Sequence, residues 1–369
     1  MDSSLTHRFV NVNGVRLHIA EQGQGPLVLL LHGWPESWYS WRHQFGPLAA
    51  AGYRVVALDQ RGYARSEQPP DVTSYTLLHL VGDVIALIEE LREEQAVVVG
   101  HDWGAPVAWI AAMLRPDKVR AVAGLSVPPI LPGGMVPPSL TRTQYGEGFY
   151  QIYFQQPGVA DAELARDIPT SFRRILVGAS GDNPLGREPR PLVIPEGVGL
   201  LDTMPESPAL PAWLTEENIQ VYAEDFALHG EHAFTGAFNW YRNIEYNNDL
   251  LAPFRGRGID VPALYVVGDR DMVTSLVASL RGPDGGPSLG DVFRGRAGSG
   301  NLLSAVAPQL RGPVVLPGCG HWTQQERPAE VNAALLDFLA RIDSGMYDDL
   351  SEQPTHPNQT CRTPRKAVG

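Results

Sequence analysis

The strongest constraint on the fold is a short stretch near residue 100, where a run of valines turns abruptly into a helical pattern. Residues 97–99 are valines, the run stops at Gly100, and residues 103–114 have the composition of a helix. Asp102 lies on the turn between them, in the pattern Gly-x-Asp-x-Gly. Small residues on either side let the strand and helix backbones approach closely, so the side chain between them is exposed. We therefore predict a strand, a sharp turn and a helix that present one carboxylate.

Two interpretations of Asp102 follow from this pattern. A carboxylate held on such a turn can attack an electrophilic carbon and form a covalent ester. Aspartate is also one of the best residues for capping the first turn of a helix, which would give Asp102 a purely structural role. Because short motifs also occur by chance, the five residues alone leave both interpretations open.

Strand and helix patterns alternate through the first 126 residues. The predicted strands are residues 8–12, 15–20, 27–31, 53–58, 96–99 and 119–126, and the predicted helices are residues 40–50, 76–91 and 103–114. Asn13-Gly14 is a strong hairpin turn, and residues 27–31 are apolar throughout, as in a strand buried on both faces. The alternation predicts the α/β fold class, with a mostly parallel sheet covered by helices on both faces.

From Pro128 onward the composition changes. Residues 128–213 are rich in proline and glycine, and the next strand pattern does not come until residues 262–267. Three helical patterns precede it, at residues 161–168, 171–177 and 215–226. This stretch therefore favours a mainly helical insertion between two strands of the sheet.

These changes divide the chain into a core, an insertion and a tail. We predict a core of residues 1–129 and 249–343, a mainly helical cap at residues 130–248, and a tail at residues 344–369. The cap would lie over the carboxyl ends of the strands, where ligands bind in open α/β sheets. The tail and the glycine-rich residues 281–300 have few large apolar side chains, so we expect them to lack packed structure.

Two later strands each end in a titratable group. Residues 262–267 lead into Asp269 and Asp271, and a strand at residues 314–317 leads into His321. The chain order of elbow acid, second acid and histidine is one of the known orders of a catalytic triad. Histidine has an unperturbed pKa of ~6.5, which suits a general base near neutral pH. Asp271 lies further from its strand than Asp269 and so has more reach, although spacing alone leaves the choice open.

A further motif, His32-Gly33-Trp34-Pro35, follows the predicted buried strand directly. The backbone N–H of Trp34 can join that of Trp103, the residue after Asp102, to form an oxyanion hole. The bond between Trp34 and Pro35 is a candidate cis peptide. A strand that simply stops at Gly-Pro is compatible with the same interpretation.

Composition excludes several classes of function. The net charge of −12 argues against a nucleic-acid-binding protein, which needs a basic face. No apolar run approaches the ~18 residues that span a membrane. With only Cys319 and Cys361, and no apolar signal core in residues 1–10, we expect a reduced, cytoplasmic protein. No residues have the spacing of metal ligands, so we expect no metal and no cofactor.

Taken together, the motifs resemble those of the soluble epoxide hydrolases of the α/β-hydrolase superfamily. The resemblance covers about residues 7–342, and four segments carry it in order: residues 32–38, 59–63, 100–104 and 320–322. Residues 149–158 and 239–243 match the two cap segments that carry the family's ring-opening tyrosines. The chain departs from the family pattern at Ala64, where glycine is common, and at residues 281–300, which have no counterpart.

This resemblance implies an α/β-hydrolase fold with an inserted cap, and a complete reaction. Asp102 would attack an apolar epoxide, while Tyr150 and Tyr241, phenols with an ordinary pKa of ~10, donate to the epoxide oxygen. Water activated by His321 and Asp271 would then hydrolyse the ester to a 1,2-diol. Six aromatic residues near the motifs suit an apolar substrate pocket and equally suit a hydrophobic core: Trp34, Trp103, Tyr153, Phe154, Trp240 and Trp322.

Two alternatives remain beside this interpretation. A dehalogenase on the same fold also uses an aspartate nucleophile, and the indole of Trp103 could bind halide. The tyrosine pair favours the epoxide, because a halide needs indole or amide donors. A non-enzymatic binding module would be expected to lack one of the five catalytic side chains, and none is missing. The partner is thus a small apolar epoxide rather than nucleic acid or membrane, and a homodimer is left open.

Overall fold

The strands of the protein form one eight-stranded sheet in a computed structural model that describes residues 4–129, 132, 135–185, 191–206, 209–273, 303 and 306–347. They are β1 (Thr6–Val12), β2 (Val15–Gln22), β3 (Leu27–Leu31), β4 (Arg54–Leu58), β5 (Ala96–His101), β6 (Val119–Leu125), β7 (Ala263–Gly268) and β8 (Leu310–Leu316). The prediction for β3 is confirmed at both ends, and the others differ from the observed bounds by a few residues.

Twelve helices accompany the sheet in the described residues. They are α1 (Phe45–Ala50), α2 (Leu77–Glu90), α3 (Gly104–Leu114), α4 (Pro138–Tyr145), α5 (Tyr150–Tyr153), α6 (Val159–Ala165), α7 (Ile168–Gly178), α8 (Glu216–Ala227), α9 (Thr235–Arg242), α10 (Ile244–Leu251), α11 (Thr323–Glu326) and α12 (Pro328–Asp343). None of them is long and apolar enough to cross a membrane.

The strand order across the sheet is β1-β2-β4-β3-β5-β6-β7-β8. β2 pairs antiparallel with β1 and with β4, and every other pair is parallel. Val12 pairs with Val15 across the predicted hairpin turn. The mostly parallel α/β sheet is therefore confirmed.

The central strands divide their side chains between two cores. In β3, Leu27, Leu29 and Leu31 pack with residues of α2, α3 and the inserted helices, in what we call the cap-side core. Val28 and Leu30 pack with residues of α1 and α12, in what we call the back core. Successive side chains of a strand point to opposite faces of the sheet, so a wholly apolar strand contributes side chains to both cores. Each fully buried aliphatic side chain contributes roughly 1.5–3 kcal/mol to the free energy of unfolding.

The segment between β6 and β7 carries seven helices in the described residues, α4 to α10. Their aromatic side chains, including Phe172, Phe226 and Trp240, are fully buried in the cap-side core. This agrees with a helical insertion over one face of the sheet. The division into a core of residues 1–129 and 249–343 and a cap of residues 130–248 stays a prediction.

The helix predicted at residues 40–50 ends where predicted but begins later. A 3-10 turn, Trp38–Trp41, comes first, and α1 begins only at Phe45. Pro47 explains the break, because a helix from residue 40 would place this proline in its interior, where it cannot donate to the preceding turn. A start at Phe45 puts the proline in the first turn, which tolerates it.

The helix predicted at residues 161–168 is also misplaced. α6 ends at Ala165 and Ile168 already belongs to α7. The side chain of Asp167 accepts a hydrogen bond from the backbone N–H of Thr170 and so caps α7 at its start. The sequence Asp-Ile-Pro-Thr carried this capping signal.

The last strand is longer than predicted, and the reason is a bulge. β8 begins at Leu310 rather than at residue 314, and its pairing with β7 shifts register between Leu264 and Val266. Gly312 has a φ of 110°, which only glycine adopts readily. A glycine and a proline in a strand look like a break in the sequence, but both are compatible with a bulge.

Two predicted unpacked segments lie wholly or mostly outside the described residues. These are residues 281–300 and, from residue 348 onward, the tail. Of the tail, residues 344–347 are described, and Tyr347 is buried there against Phe338, with the guanidinium of Arg311 over its ring. Packed chain therefore continues past residue 344.

Candidate active site

Asp102 lies on the sharp turn between β5 and α3. Its φ of 48° is a left-handed conformation that is uncommon for a residue with a side chain. The turn is tight, because a Cβ on Gly100 would overlap the carbonyl group of Gly104. α3 has Trp103 as its N-cap residue and no side-chain cap. The interpretation of Asp102 as only a helix cap is therefore wrong.

The main chain holds one oxygen of the Asp102 carboxylate, which is 8% exposed. The backbone N–H of Trp34 donates to Oδ1 at 2.7 Å. Trp34 comes shortly after β3, which lies beside β5, so the neighbouring strand ends bring the two residues together. The bond between Trp34 and Pro35 is cis, as predicted. The assignment of the Trp34 and Trp103 backbone groups as an oxyanion hole stays a prediction.

His321 lies between two carboxylates. Its Nε2 is 3.4 Å from Oδ2 of Asp102, and its Nδ1 is 3.1 and 3.2 Å from the two oxygens of Asp271. Asp271 is buried and Asp269 is exposed, so Asp271 is the acid that faces the histidine. The backbone N–H of Val273 also donates to Asp271 at 2.8 Å. The structure thus brings together three residues that the sequence placed after three different strands.

Burial and charge act in opposite directions on this pair. Burial alone would lower the pKa of His321, but the charge of Asp271, and the contacts and charge of Asp102, raise that pKa well above its usual value. Burial alone would raise the pKa of Asp271, but the charge and N–H of His321 hold it below its usual range. A proton on His321 is therefore stabilised while Asp102 is ionised. Neutralising Asp102 in an ester removes one of the two charges that favour this proton.

A second buried acid and histidine lie beside His321. The ring of His101 is 4.9 Å from the ring of His321, measured between centroids. Its Nδ1 is 2.6 Å from Oε2 of Glu36, and its Nε2 is 2.8 Å from the backbone carbonyl oxygen of His321. Burial alone would raise the pKa of Glu36, but the charge and hydrogen bond of His101 lower it to about 2. This pair links the backbone of His321 to a buried carboxylate.

Sequence reasoning missed the roles of Glu36 and His101. Both belong to motifs that carried the family resemblance, but neither was assigned a function. The amides of Gln324 and Gln325 also donate to Oε1 of Glu36, at 3.1 and 2.9 Å. The histidine directly before Asp102 was a signal in the sequence. Its pairing with Glu36 could not be predicted, because the two residues are distant in sequence.

A mainly apolar cavity opens beside Asp102 and His321. Its described lining residues are Trp34, Asp102, Tyr150, Ile175, Ala179, Pro191, Leu192, Met204, Tyr241, Met272, Val273, His321 and Trp322. Asp102 and His321 are the charged or titratable side chains of this lining, together with the two tyrosines. Among the described residues, no group of three or more His, Cys, Asp and Glu side chains could hold a metal ion.

Tyr150 and Tyr241 reach the cavity from α5 and α9, with their ring centroids 6.1 Å apart. The amide of Gln151 donates to the Tyr150 hydroxyl at 3.0 Å, and the side chain of Trp103 hydrogen-bonds Tyr241. The side-chain amide of Gln155 donates to the carbonyl of Tyr241 and to that of Gln151, which ties the two helices together. Burial first, and then the charge of Asp102, raises the pKa of both phenols. Both therefore keep their protons at neutral pH.

Of the six aromatic residues predicted to form the pocket, Trp34 and Trp322 line this cavity. The described lining does not include Trp103, Tyr153, Phe154 or Trp240. Phe154 is fully buried against Trp34, and the indole of Trp240 donates to the carbonyl of Arg61 at 3.0 Å.

Tyr153 and Trp103 also have other partners. Tyr153 is half-buried and donates to Glu163 at 2.7 Å, away from the cavity. Trp103 packs edge-on against Tyr241, with ring centroids 5.1 Å apart. Trp103 therefore packs against one of the two phenols outside the described cavity lining. The other three residues, Tyr153, Phe154 and Trp240, belong to the packing of the insertion.

Comparison with known proteins gives consistent matches over most of the chain. The family described as alpha/beta hydrolase fold matches residues 26–328. Epoxide hydrolase A of Mycobacterium tuberculosis is 41% identical over 345 residues, which cover 92% of this chain and 98% of that protein. Epoxide hydrolase 1 of Siraitia grosvenorii is 40% identical over 341 residues, covering 92% and 99%. The solved structure of an epoxide hydrolase from an endophytic Streptomyces superposes with a TM-score of 0.80 at 41% identity, covering 92% and 96%.

Proposed function

Because this chain belongs to the epoxide hydrolases of the alpha/beta hydrolase fold, we propose that it opens its substrate through a covalent ester on Asp102. The observation that carries the proposal is the joint position of four groups. Asp102, Tyr150, Tyr241 and His321 all line one cavity, and His321 also contacts Asp271. A nucleophile, two acids and an oriented base therefore face the same space.

In the first half of the reaction, Asp102 attacks one carbon of the epoxide ring. The bond from that carbon to the ring oxygen breaks, and the oxygen takes a proton from Tyr150 or Tyr241, which both lie in the cavity. An alkoxide is a poor leaving group in an apolar cavity, so the two phenols lower the barrier by donating as charge develops. The product of this step is a hydroxyalkyl ester of Asp102.

In the second half, water hydrolyses the ester. With Asp102 neutral, the proton on His321 is less favoured, so the ring can give it to the phenolate that the first half left. The neutral ring then accepts a proton from the water that attacks the ester carbonyl. Asp271 keeps the ring oriented through Nδ1. The negative charge on the carbonyl oxygen forms beside the backbone N–H of Trp34, with the N–H of Trp103 as the second donor. The ester bond then breaks, and the departing alkoxide takes the proton of the carboxylic acid that forms. The diol leaves, Asp102 is again a carboxylate, and His321 keeps the proton that it took from water.

The cavity lining supports an apolar epoxide as substrate. Apart from the reacting groups, its described side chains are hydrophobic, with Ile175, Leu192 and Met204 on the cap side and Met272 next to Asp271. A charged substituent on the epoxide would lose its hydration there without gaining a partner. Aryl and alkyl epoxides are therefore the substrates to test first.

The test is a single turnover with excess enzyme in heavy-oxygen water. If Asp102 supplies the oxygen, the first diol is mostly unlabelled, and the solvent oxygen is found in the peptide that contains Asp102. Asp102→Ala should be inactive. A fully labelled diol in the first turnover, or an active Asp102→Ala protein, would contradict the covalent route. Haloalkanes run beside the epoxides, scored for halide release, test the dehalogenase alternative.

A further inference from the structure

Glu326 is a buried carboxylate that the reaction described above does not use. It ends α11, shortly after His321, and is 5% exposed. Its Oε2 accepts hydrogen bonds from the backbone N–H groups of Gly181 at 2.9 Å and Gly320 at 3.0 Å, and from the hydroxyl of Ser180 at 3.3 Å. Its Oε1 accepts the backbone N–H of Trp322 at 3.1 Å.

These donors surround His321 on two sides. Gly320 and Trp322 are the residues before and after the histidine, whereas Ser180 and Gly181 follow α7 in the inserted segment. One carboxylate therefore fixes the backbone on either side of His321 and joins it to the insertion.

The same contact is continued by the backbone of His321 itself. Its N–H donates to the carbonyl of Ala179 at 2.9 Å. A Cβ on Gly320 would overlap the backbone of Ser180 and Gly181, so no side chain fits between the two segments. Hydrogen bonds hold the backbones of the two segments together, and Glu326 accepts two of them, from Ser180 and Gly181.

The donors to this carboxylate are neutral groups. The guanidinium of Arg327, the next residue, donates to the carbonyls of Gly318 and Glu326 rather than to the carboxylate. Burial raises the pKa of Glu326, and the three backbone N–H groups oppose that shift. A buried carboxylate without a cation is costly to keep, and an apolar residue in its place would leave these backbone N–H groups without an acceptor. The carboxylate thus fixes the backbone of the residues directly before and after His321.

We propose that Glu326 is a positioning residue that holds the imidazole of His321 between Asp102 and Asp271. The proposal rests on the mechanism given above, in which His321 acts in the second half of the reaction. A change at Glu326 should therefore slow ester hydrolysis and leave ester formation by Asp102 nearly unchanged. A displacement of about 1 Å at a reacting group can cost about 100-fold in rate.

The experiment measures the two half-reactions separately. Excess Glu326→Gln or Glu326→Ala protein is mixed with styrene oxide and quenched at timed intervals, and intact-protein mass spectrometry follows the appearance and decay of the ester. We expect decay to slow about 10- to 100-fold in Glu326→Ala, with ester formation within about threefold of the parent. Ester decay in Glu326→Gln, which keeps one acceptor oxygen, should be slower than in the parent and faster than in Glu326→Ala. Glu330→Ala, an exposed acid in the first turn of α12, is the matched control.

The ratio of the two rates separates positioning from a general loss of structure. A merely structural role would reduce the fraction of protein that forms the ester, without changing that ratio. Equal slowing of both rates, or no change in either, would overturn the positioning role, and the same comparison is made on Glu326→Gln if the alanine variant does not fold. His321→Gln is run alongside: if its ester does not accumulate, the proposed mechanism itself fails, and this is distinguishable from a failure confined to the Glu326 variants.

Discussion

Replacing the cavity phenols one at a time tests whether both donate to the same epoxide oxygen. Tyr150→Phe and Tyr241→Phe each remove one hydroxyl from a buried, mainly apolar cavity, where solvent cannot easily replace it. A hydrogen bond to a group that becomes charged contributes about 2–3 kcal/mol. At about 1.4 kcal/mol per factor of ten, each single variant should form the ester about 30- to 150-fold more slowly.

The double variant should lose more than the product of the two single effects. With one phenol left, the developing alkoxide still has a proton donor, but with neither it has none, so the two losses are coupled rather than additive. Each variant also leaves a neighbour without its partner, the amide of Gln151 beside Tyr150 and the indole of Trp103 beside Tyr241. Thermal unfolding of each variant separates this structural cost from the kinetic one.

The assay is stopped-flow tryptophan fluorescence with excess enzyme, because Trp34 and Trp322 line the cavity. Tyr153→Phe is the matched control: it lies on the same helix as Tyr150, but its hydroxyl donates to Glu163 away from the cavity. We expect its rate to stay within about twofold of the parent. Three results would refute the reasoning. The first is a loss of less than about threefold in the single variants, far below the loss expected for one donor. The others are a double variant as fast as either single one and an equal loss in Tyr153→Phe.

Two further predictions concern the buried acids. His321→Gln should still form the ester and then accumulate it as added mass on Asp102, with Asp271→Asn giving a weaker version and the exposed Asp269→Asn none; loss of ester formation in His321→Gln would contradict this division of roles. Glu36→Gln should lower the free energy of unfolding by a few kcal/mol at neutral pH, because the folded pKa of Glu36 is about 2, against 4.5 for an ordinary glutamate. That stabilisation is complete above pH 4.5 and is lost as the pH falls toward 2, so urea titrations should show the difference between parent and variant shrinking over this range; a difference that does not depend on pH would argue against it.

Much of the site could be predicted because its residues follow strand ends. Asp102, Trp34 and His321 each come within a few residues of a parallel strand, and the carboxyl ends of such strands meet at one edge of the sheet. Chain order and local motif were therefore enough to bring them together. The choice between Asp269 and Asp271 was different, because two residues on the same loop differ in direction rather than in position, and only the structure fixes direction.

The remaining features depend on contacts between segments that are distant in sequence. Glu36 meets His101 and Gln324 across 65 and 288 positions, and no local pattern encodes such a meeting. The aromatic residues show a second limit. A tryptophan or phenylalanine has the same composition signal in a core as in a pocket, so Phe154 and Trp240 could not be separated from Trp34 until their neighbours were known.

The division of β3 and β5 between two cores also bears on how this protein can change over time. Within the part of the chain that the structure describes, the back core includes no residue of the inserted helices and none of the residues that line the cavity. Substitutions among Val28, Leu30 and their neighbours on α12 therefore act on stability with little direct effect on substrate choice. Stabilising substitutions in the back core would allow the residues around the cavity to accept destabilising substitutions without loss of the fold. A laboratory library for new epoxides should therefore vary the back core first and the cavity lining second.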